Sequence, residues 1–129
     1  MRVKDVERLT GLSTKAIRLY EEKGLISVER NPVNDYRDYS VENVRQLRLI
    51  KLLRYFDFSL SELEESFTWS EEELKSALLR KKQTIIQKQE RLTNKIDLLD
   101  QVVKDLGKND GWLEEIQDSI TYVESDDFQ

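Results

Sequence analysis

Histidine and cysteine, the side chains that most often supply a general base or a thiolate, are both absent from the sequence. Without cysteine there is no disulfide and no thiolate metal site. Without histidine the usual proton acceptor near neutral pH and the commonest metal ligand are missing. Catalysis would have to run on carboxylates, lysines or tyrosines, and no carboxylate pair sits in a recognisable cleft context. An enzyme is not expected, nor is a metal or other cofactor. What the charged residues can do is bind an opposite charge. The net charge is −5, but it is unevenly spread. Residues 1–54 hold 12 Lys/Arg against 8 Asp/Glu, a net of +4; residues 55–104 hold 8 against 10; residues 105–129 hold 1 against 8, a net of −7. The basic excess is confined to the front segment, where phosphate contacts to nucleic acid are expected.

The elements that must position these charges are mostly helical. Charged residues make up 36% of the chain and apolar ones 38%, with four glycines and one proline, a profile that favours long helices over sheet. The length of 129 residues is that of one ordinary domain. No apolar run approaches the roughly 20 residues of a membrane helix, so a soluble, cytoplasmic chain without membrane partners is expected.

Three zones follow: a head over residues 1–69, a single helix over 70–106 and an acidic tail over 107–129. In the head, Val3, Val6 and Leu9 mark one face of a short helix that Thr10-Gly11 closes. Ser13 offers a hydroxyl N-cap to a second helix with an apolar stripe of Ala16, Ile17 and Tyr20, and Gly24 ends it. Two short helices joined by a glycine-containing turn fit a helix-turn-helix, and this stretch alone also fits any small helical hairpin. Leu25–Val28 suits a short strand, Arg30–Asp35 a turn and Tyr36–Tyr39 a returning strand, together a β-hairpin wing. Ser40 with Asn43 opens a third helix that buries Leu47, Ile50 and Leu53 or Leu52, while Arg45, Arg48, Lys51 and Arg54 point elsewhere. Phe56 and Phe58 plug the core, and Ser59 or Ser61 caps one more short helix through Phe67.

From Ser70, followed by Glu71, Glu72 and Glu73 at the positive end of the helix dipole, one helix is expected to run to Leu106. Leu78, Ile85, Leu92, Leu99 and Leu106 recur every seven residues, and Ile96 and Val103 fill the companion heptad position that Lys82 and Gln89 occupy earlier. At 1.5 Å per residue such a helix spans on the order of 50 Å, too long for a small head to cover its stripe. A second copy of the chain is the expected partner, and a fold-back into a monomeric bundle is the alternative. Gly107–Gly111 breaks the helix, and Trp112, Leu113, Ile116, Ile120 and Val123 suggest a short C-terminal amphipathic helix. The fold class expected is mostly α: a winged helix-turn-helix head with a small β-hairpin wing, a long dimerising coiled-coil helix and a short C-terminal helix.

The string VERLTGLSTKAIRLYEEKGLI, then NDYRDYS, then RLIKLLRYFDFSLSELEE, with its spacings, resembles the DNA-binding domain of the mercury-resistance regulator (MerR) family over about residues 1–69. The resemblance implies a transcriptional regulator that binds double-stranded DNA at a pseudo-palindromic promoter operator as a homodimer with antiparallel long helices. It also implies that the dimer twists and bends an overlong promoter so that RNA polymerase, a partner only through the shared DNA, engages both of its elements. By matched position, Ser13 to about Lys23 resembles the recognition helix, with Ser13, Thr14, Lys15, Arg18 and Tyr20 toward the major groove and its flanking phosphates. Arg30, Tyr36, Arg37 and Tyr39 match wing positions that grip backbone, although Tyr39 equally reads as core. Arg54 matches a position that reaches phosphate in relatives, and equally reads as a surface charge. Two departures stand out: Leu19 where many relatives have an aromatic residue, and Asp35 where many have a glycine free to take positive φ.

The effector is the least legible part. Sensors of this family that bind metals through thiolates use cysteines near the end of the long helix, and this chain has none. Trp112, Tyr122 and Phe128 beside Glu114, Glu115 and Asp118 could enclose an organic cation, or Trp112 simply pins the tail to the partner helix. Two other function classes stay open: a DNA-bending, excisionase-like accessory factor, and a coiled-coil interaction module whose head does not bind DNA.

Overall fold

Helix α1 (Val3–Thr10) ends on Gly11, whose φ of 73° lies in the left-handed region and whose N–H bonds to Glu7 O at 2.8 Å. The computed structural model describes residues 1–106, 111, 113, 116 and 120–123. Within α1 the buried positions are Val6 and Thr10, four apart; Leu9, expected on the inward face, is 44% exposed. A polar residue can take the buried place because the Thr10 hydroxyl donates to Val6 O at 2.7 Å and accepts from Leu12 N–H at 3.1 Å.

Ser13 caps α2 (Thr14–Glu22) by accepting from Ala16 N–H at 3.1 Å. The helix closes in a Schellman arrangement: Gly24, at φ 78°, donates to Glu21 O and Leu25 donates to Tyr20 O, both at 3.0 Å. That closure explains why the strand expected at Leu25–Val28 forms further on. Leu25 spends its N–H on the helix, and Leu25 and Ile26 serve the core as buried side chains. The ladder is short: β1 (Glu29–Arg30) pairs antiparallel with β2 (Arg37–Asp38), with Glu29 opposite Asp38 and Arg30 opposite Arg37. Asn31 and Asn34 hold the turn through their side-chain oxygens, accepting from Val33 N–H at 2.8 Å and Tyr36 N–H at 3.0 Å. Asp35 takes φ 59°, the conformation its glycine-like place demands. The chain start lies against β2: Met1 O accepts from Tyr39 N–H at 2.8 Å, and the Met1 ammonium donates to Tyr39 O and Asp38 Oδ1, both at 2.7 Å.

Helix α3 (Val41–Tyr55) opens with a reciprocal Ser40–Asn43 capping box, and buried Asn43 also donates to Ser27 O at 3.0 Å. Its inward face is Val44, Leu47, Ile50 and Leu53; Leu52 is on the outside. Two cations of α3 serve the carboxyl end of α1, Arg48 bonding Leu9 O at 3.0 Å and Lys51 bonding Thr10 O at 2.9 Å. Phe58 is fully buried with Trp69 edge-on to it, whereas Phe56 is half-buried beside Tyr55. Ser59, not Ser61, caps α4 (Leu60–Ser66) through a capping box with Glu62. Replacing Leu47, which is fully buried, with Ala should cost about 2–5 kcal/mol through the cavity it leaves. Urea unfolding at fixed protein concentration should show a lower midpoint with the slope unchanged.

Helix α5 (Glu71–Asp105) is uninterrupted over 35 residues and starts with a Ser70–Glu73 capping box. The chain divides into two units, Met1–Ala77 and Leu78–Gln129. In the second, Ile85, Leu92, Ile96, Leu99, Val103 and Leu106 are all exposed and Leu78 is half-buried. Of the expected C-terminal helix, a 3₁₀ turn at Ile120–Tyr122 falls within the described residues. Among those residues no helix is long and apolar enough to cross a membrane.

Candidate nucleic-acid interface

A short helix can aim only part of its circumference outward, and α2 assigns its sides clearly. Ile17 is fully buried, Thr14, Ala16, Tyr20 and Glu21 are half-buried, and Lys15, Arg18, Leu19 and Glu22 are exposed. The exposed four are spaced i, i+3, i+4 and i+7, one continuous stripe. Ser13, at its start, is exposed with its hydroxyl oxygen engaged as the cap.

The wing is tied to this helix from the side. Arg37 donates from Nε to both carboxylate oxygens of Glu21, at 2.8 and 3.1 Å, and that bond raises the guanidinium pKa above its ordinary value. Glu21 lies one turn beyond Ile17, so its carboxylate faces inward and needs a partner. Arg30 reaches across the turn to Asp35 O at 3.2 Å. Tyr36, 57% exposed, lies beneath the Arg2 guanidinium, 4.5 Å from its ring centroid.

Where α1, α2 and the wing meet they enclose a recess of about 410 Å³. Arg2, Lys4, Arg18, Arg30 and Arg37 line it with Tyr36, and Asp35 is the one carboxylate on its wall. With Arg37 paired to Glu21, four further cations face one carboxylate, and the local field favours an anion there. The structure thus brings Arg18, Arg30, Tyr36 and Arg37 together and adds Arg2 and Lys4, which the sequence pattern did not single out. They join because residue 1 pairs with Tyr39, a contact across 38 positions that no local pattern declares.

Four expected contacts look different in place. Tyr39 is 2% exposed, so of its two readings the structure takes the core one, and no sugar can stack on its ring. Its hydroxyl has no hydrogen-bond partner among the described residues, and burial, followed by the nearby Glu21 carboxylate, pushes its pKa up. Thr14 is half-buried, and both its N–H, at 2.7 Å, and its hydroxyl bond to Glu7 Oε1. Sequence reasoning missed Glu7, because the bond joins two helices across the turn. Arg54 is exposed but donates to Phe58 O at 2.8 Å, bracing the turn after α3. Tyr20 is half-buried.

The two Thr14 bonds hold the Glu7 carboxyl below its usual 4.5, and the chain-start ammonium does the same for Asp38, ordinarily 3.8. A carboxylate depressed in the fold adds stability above its unfolded value and loses it as pH falls through the lower folded value. The urea midpoint should therefore fall with pH below about 4.5. Glu7→Gln should lower the midpoint at pH 7 and make that acid limb shallower; a limb identical to wild type would contradict the bond.

In the second unit, Tyr122, 77% exposed, borders a cavity of about 380 Å³ with Asn94, Lys95, Leu98, Leu99, Val102 and Val123. The other members of the expected aromatic and acidic cluster, Trp112, Phe128, Glu114, Glu115 and Asp118, lie outside the described residues.

Comparison with known proteins agrees with the character of the head. A family model described as MerR HTH family regulatory protein matches residues 1–68. The HTH-type transcriptional regulator CueR of Escherichia coli O157:H7 is 42% identical over 65 residues, covering 50% of this chain and 48% of the relative. CueR of Vibrio cholerae is 41% identical over 68 residues, 53% of this chain and 49% of the relative. HmrR of Sinorhizobium medicae is 35% identical over 65 residues, 50% and 44% respectively. The chain spans about half the length of these curated relatives. A solved structure described as a MerR family transcriptional regulator from Listeria monocytogenes aligns over 94% of both chains at 23% identity, with a TM-score of 0.48. With the family model covering more than half of its length, the chain belongs to the MerR family of helix-turn-helix transcriptional regulators.

Proposed function

We propose that this regulator binds double-stranded DNA as a homodimer at a pseudo-palindromic promoter operator and controls transcription by distorting it. In this reading residues 1–69 form the DNA-binding head, 70–106 the dimerisation helix and 107–129 a tail of separate role. The observation that carries it is the recess in which Arg2, Lys4, Arg18, Arg30 and Arg37 converge from three elements beside the open face of α2. A backbone phosphate seated in the recess leaves Lys15 and Arg18 against the major groove, where a cation can reach guanine O6 and N7.

The apolar stripe of α5 supports the second half of the reading. Six large aliphatic residues at heptad positions are exposed in the single chain, and a second α5 against them would remove that surface from water. Two heads joined in this way meet two half-sites of one duplex. Deforming the DNA between them costs energy that depends on its sequence, so bendability becomes part of recognition. RNA polymerase is then engaged only through the shared promoter. The absence of cysteine argues against a thiolate-bound metal as effector.

Footprinting on the DNA upstream of the gene and its neighbours tests this. The expected result is one protected site with two-fold symmetry and enhanced cleavage at its centre. Protection of no site, together with binding indifferent to sequence, would remove the reading.

A further inference from the structure

Leu19 is the one large apolar side chain on a stripe otherwise made of Lys15, Arg18 and Glu22, and it is 44% exposed. The core does not require it there, because Ile17 fills the buried position of α2. The stripe is polarised: its cations lie in the amino-terminal half and its carboxylate at the far end. A polyanion is drawn to the half that contains Lys15 and Arg18 and repelled from Glu22, which brings Leu19 to the edge of the contact. Arg18 lines both the open concavity that contains Leu19 and the cationic recess beneath the wing, so the two surfaces join at one residue. In the DNA-bound form proposed above, a strand with a phosphate in the recess would bring its neighbouring base edges toward Lys15 and Leu19.

We propose that Leu19 is a specificity-determining residue that reads a thymine in each half-site through the C5 methyl group. This rests on the DNA-binding reading above and adds to it which base is read and by what chemistry. A leucine side chain offers no hydrogen bond. In the major groove only thymine presents a methyl group, while the other bases present amino, carbonyl or ring-nitrogen groups. Against any of those, Leu19 strips water from a polar group and returns nothing. Against thymine it covers a methyl of its own kind. Lys15, one turn earlier on the same stripe, lies toward the adjoining base pair.

The experiment is selection from random duplexes by the wild type and by Leu19→Ala, followed by replacement of each selected thymine with deoxyuridine, which removes only the methyl. For the wild type, one thymine per half-site should be sensitive, each lost methyl lowering affinity about four-fold. Leu19→Ala, which loses the contact in both half-sites, should bind about 15-fold more weakly, show no preference at that position and be indifferent to deoxyuridine there. Circular dichroism and the urea midpoint should match wild type, since the side chain lies outside the core. A wild type with a well-defined site but no methyl-sensitive thymine overturns the Leu19 assignment alone. So does a variant that keeps the sensitivity. A wild type that selects no sequence overturns the DNA-binding reading as well.

Discussion

Arg18→Ala should weaken binding to the operator by roughly 30- to 20,000-fold, since a groove or phosphate contact of this kind is worth about 1–3 kcal/mol and a dimer loses it twice. The size follows from where Arg18 sits. It is an exposed member of the α2 stripe and also a wall of the recess where four other cations converge. In the proposed complex its removal would take a hydrogen-bond donor from the groove and a cation from the recess in one step. The plot of log affinity against log salt should also flatten, by about one or two units for two lost phosphate contacts. Arg48→Ala is the informative contrast. Its guanidinium bonds Leu9 O at the end of α1, so its loss should lower the unfolding midpoint while the salt slope stays put. Equal losses of salt slope for both variants, measured by fluorescence anisotropy, would mean that binding follows bulk charge and not the recess.

Leu99→Glu should convert the protein from dimer to monomer and lower operator affinity by a further two to four orders of magnitude. Leu99 is 63% exposed within the chain and lies in the later part of α5, between Ile96 and Val103, where the heptad stripe is free of polar interruptions. In the proposed pair each copy would bury the new carboxylate without a partner, a cost of several kcal/mol per ion that the seam cannot absorb. The affinity falls because each head must then find its half-site alone, and the high effective concentration of the second head is lost. A single long helix with no partner is also marginal in water, so ellipticity at 222 nm should drop. Lys82→Leu, at the same seam but replacing a polar interruption with an apolar side chain, should move the dimer midpoint the other way. An unchanged mass for Leu99→Glu at micromolar concentration would remove the seam from the account.

Local grammar made much of the head legible. Gly11 and Gly24 end their helices, Ser13, Ser40 and Ser59 cap theirs, and Asp35 takes the positive φ that its glycine-like place requires. These features depend on residues within four or five positions, which is the range over which sequence pattern carries information. The misplacements share the opposite property. The first strand lies two to four residues beyond the apolar Leu25–Val28 run, because Leu25 and Ile26 are placed by helix closure and core burial, not by a ladder. Leu9 is apolar by type yet lies outward, because Thr10 satisfies its own hydroxyl and takes the buried site.

The recess was legible in its wing and α2 members and not in Arg2 and Lys4. Their presence depends on the chain start pairing with Tyr39, and residue type announces nothing about such a return. Glu7 and Glu21 carried a usable signal. Carboxylates on half-buried helix positions must be bonded, and their partners, Thr14 and Arg37, turn out to be two of the side chains first assigned to DNA. Part of the charge that composition counts as available for phosphate is thus spent on holding the wing against α2.

In the proposed complex two heads, held a fixed distance apart by paired α5 helices, grip one duplex. Light scattering coupled to size exclusion measures it directly, on the protein alone and at saturation with an operator duplex. The expected result is a particle of twice 15.3 kDa alone, and two protomers added to each duplex. A 15.3 kDa particle at micromolar concentration that loads singly onto DNA would contradict it.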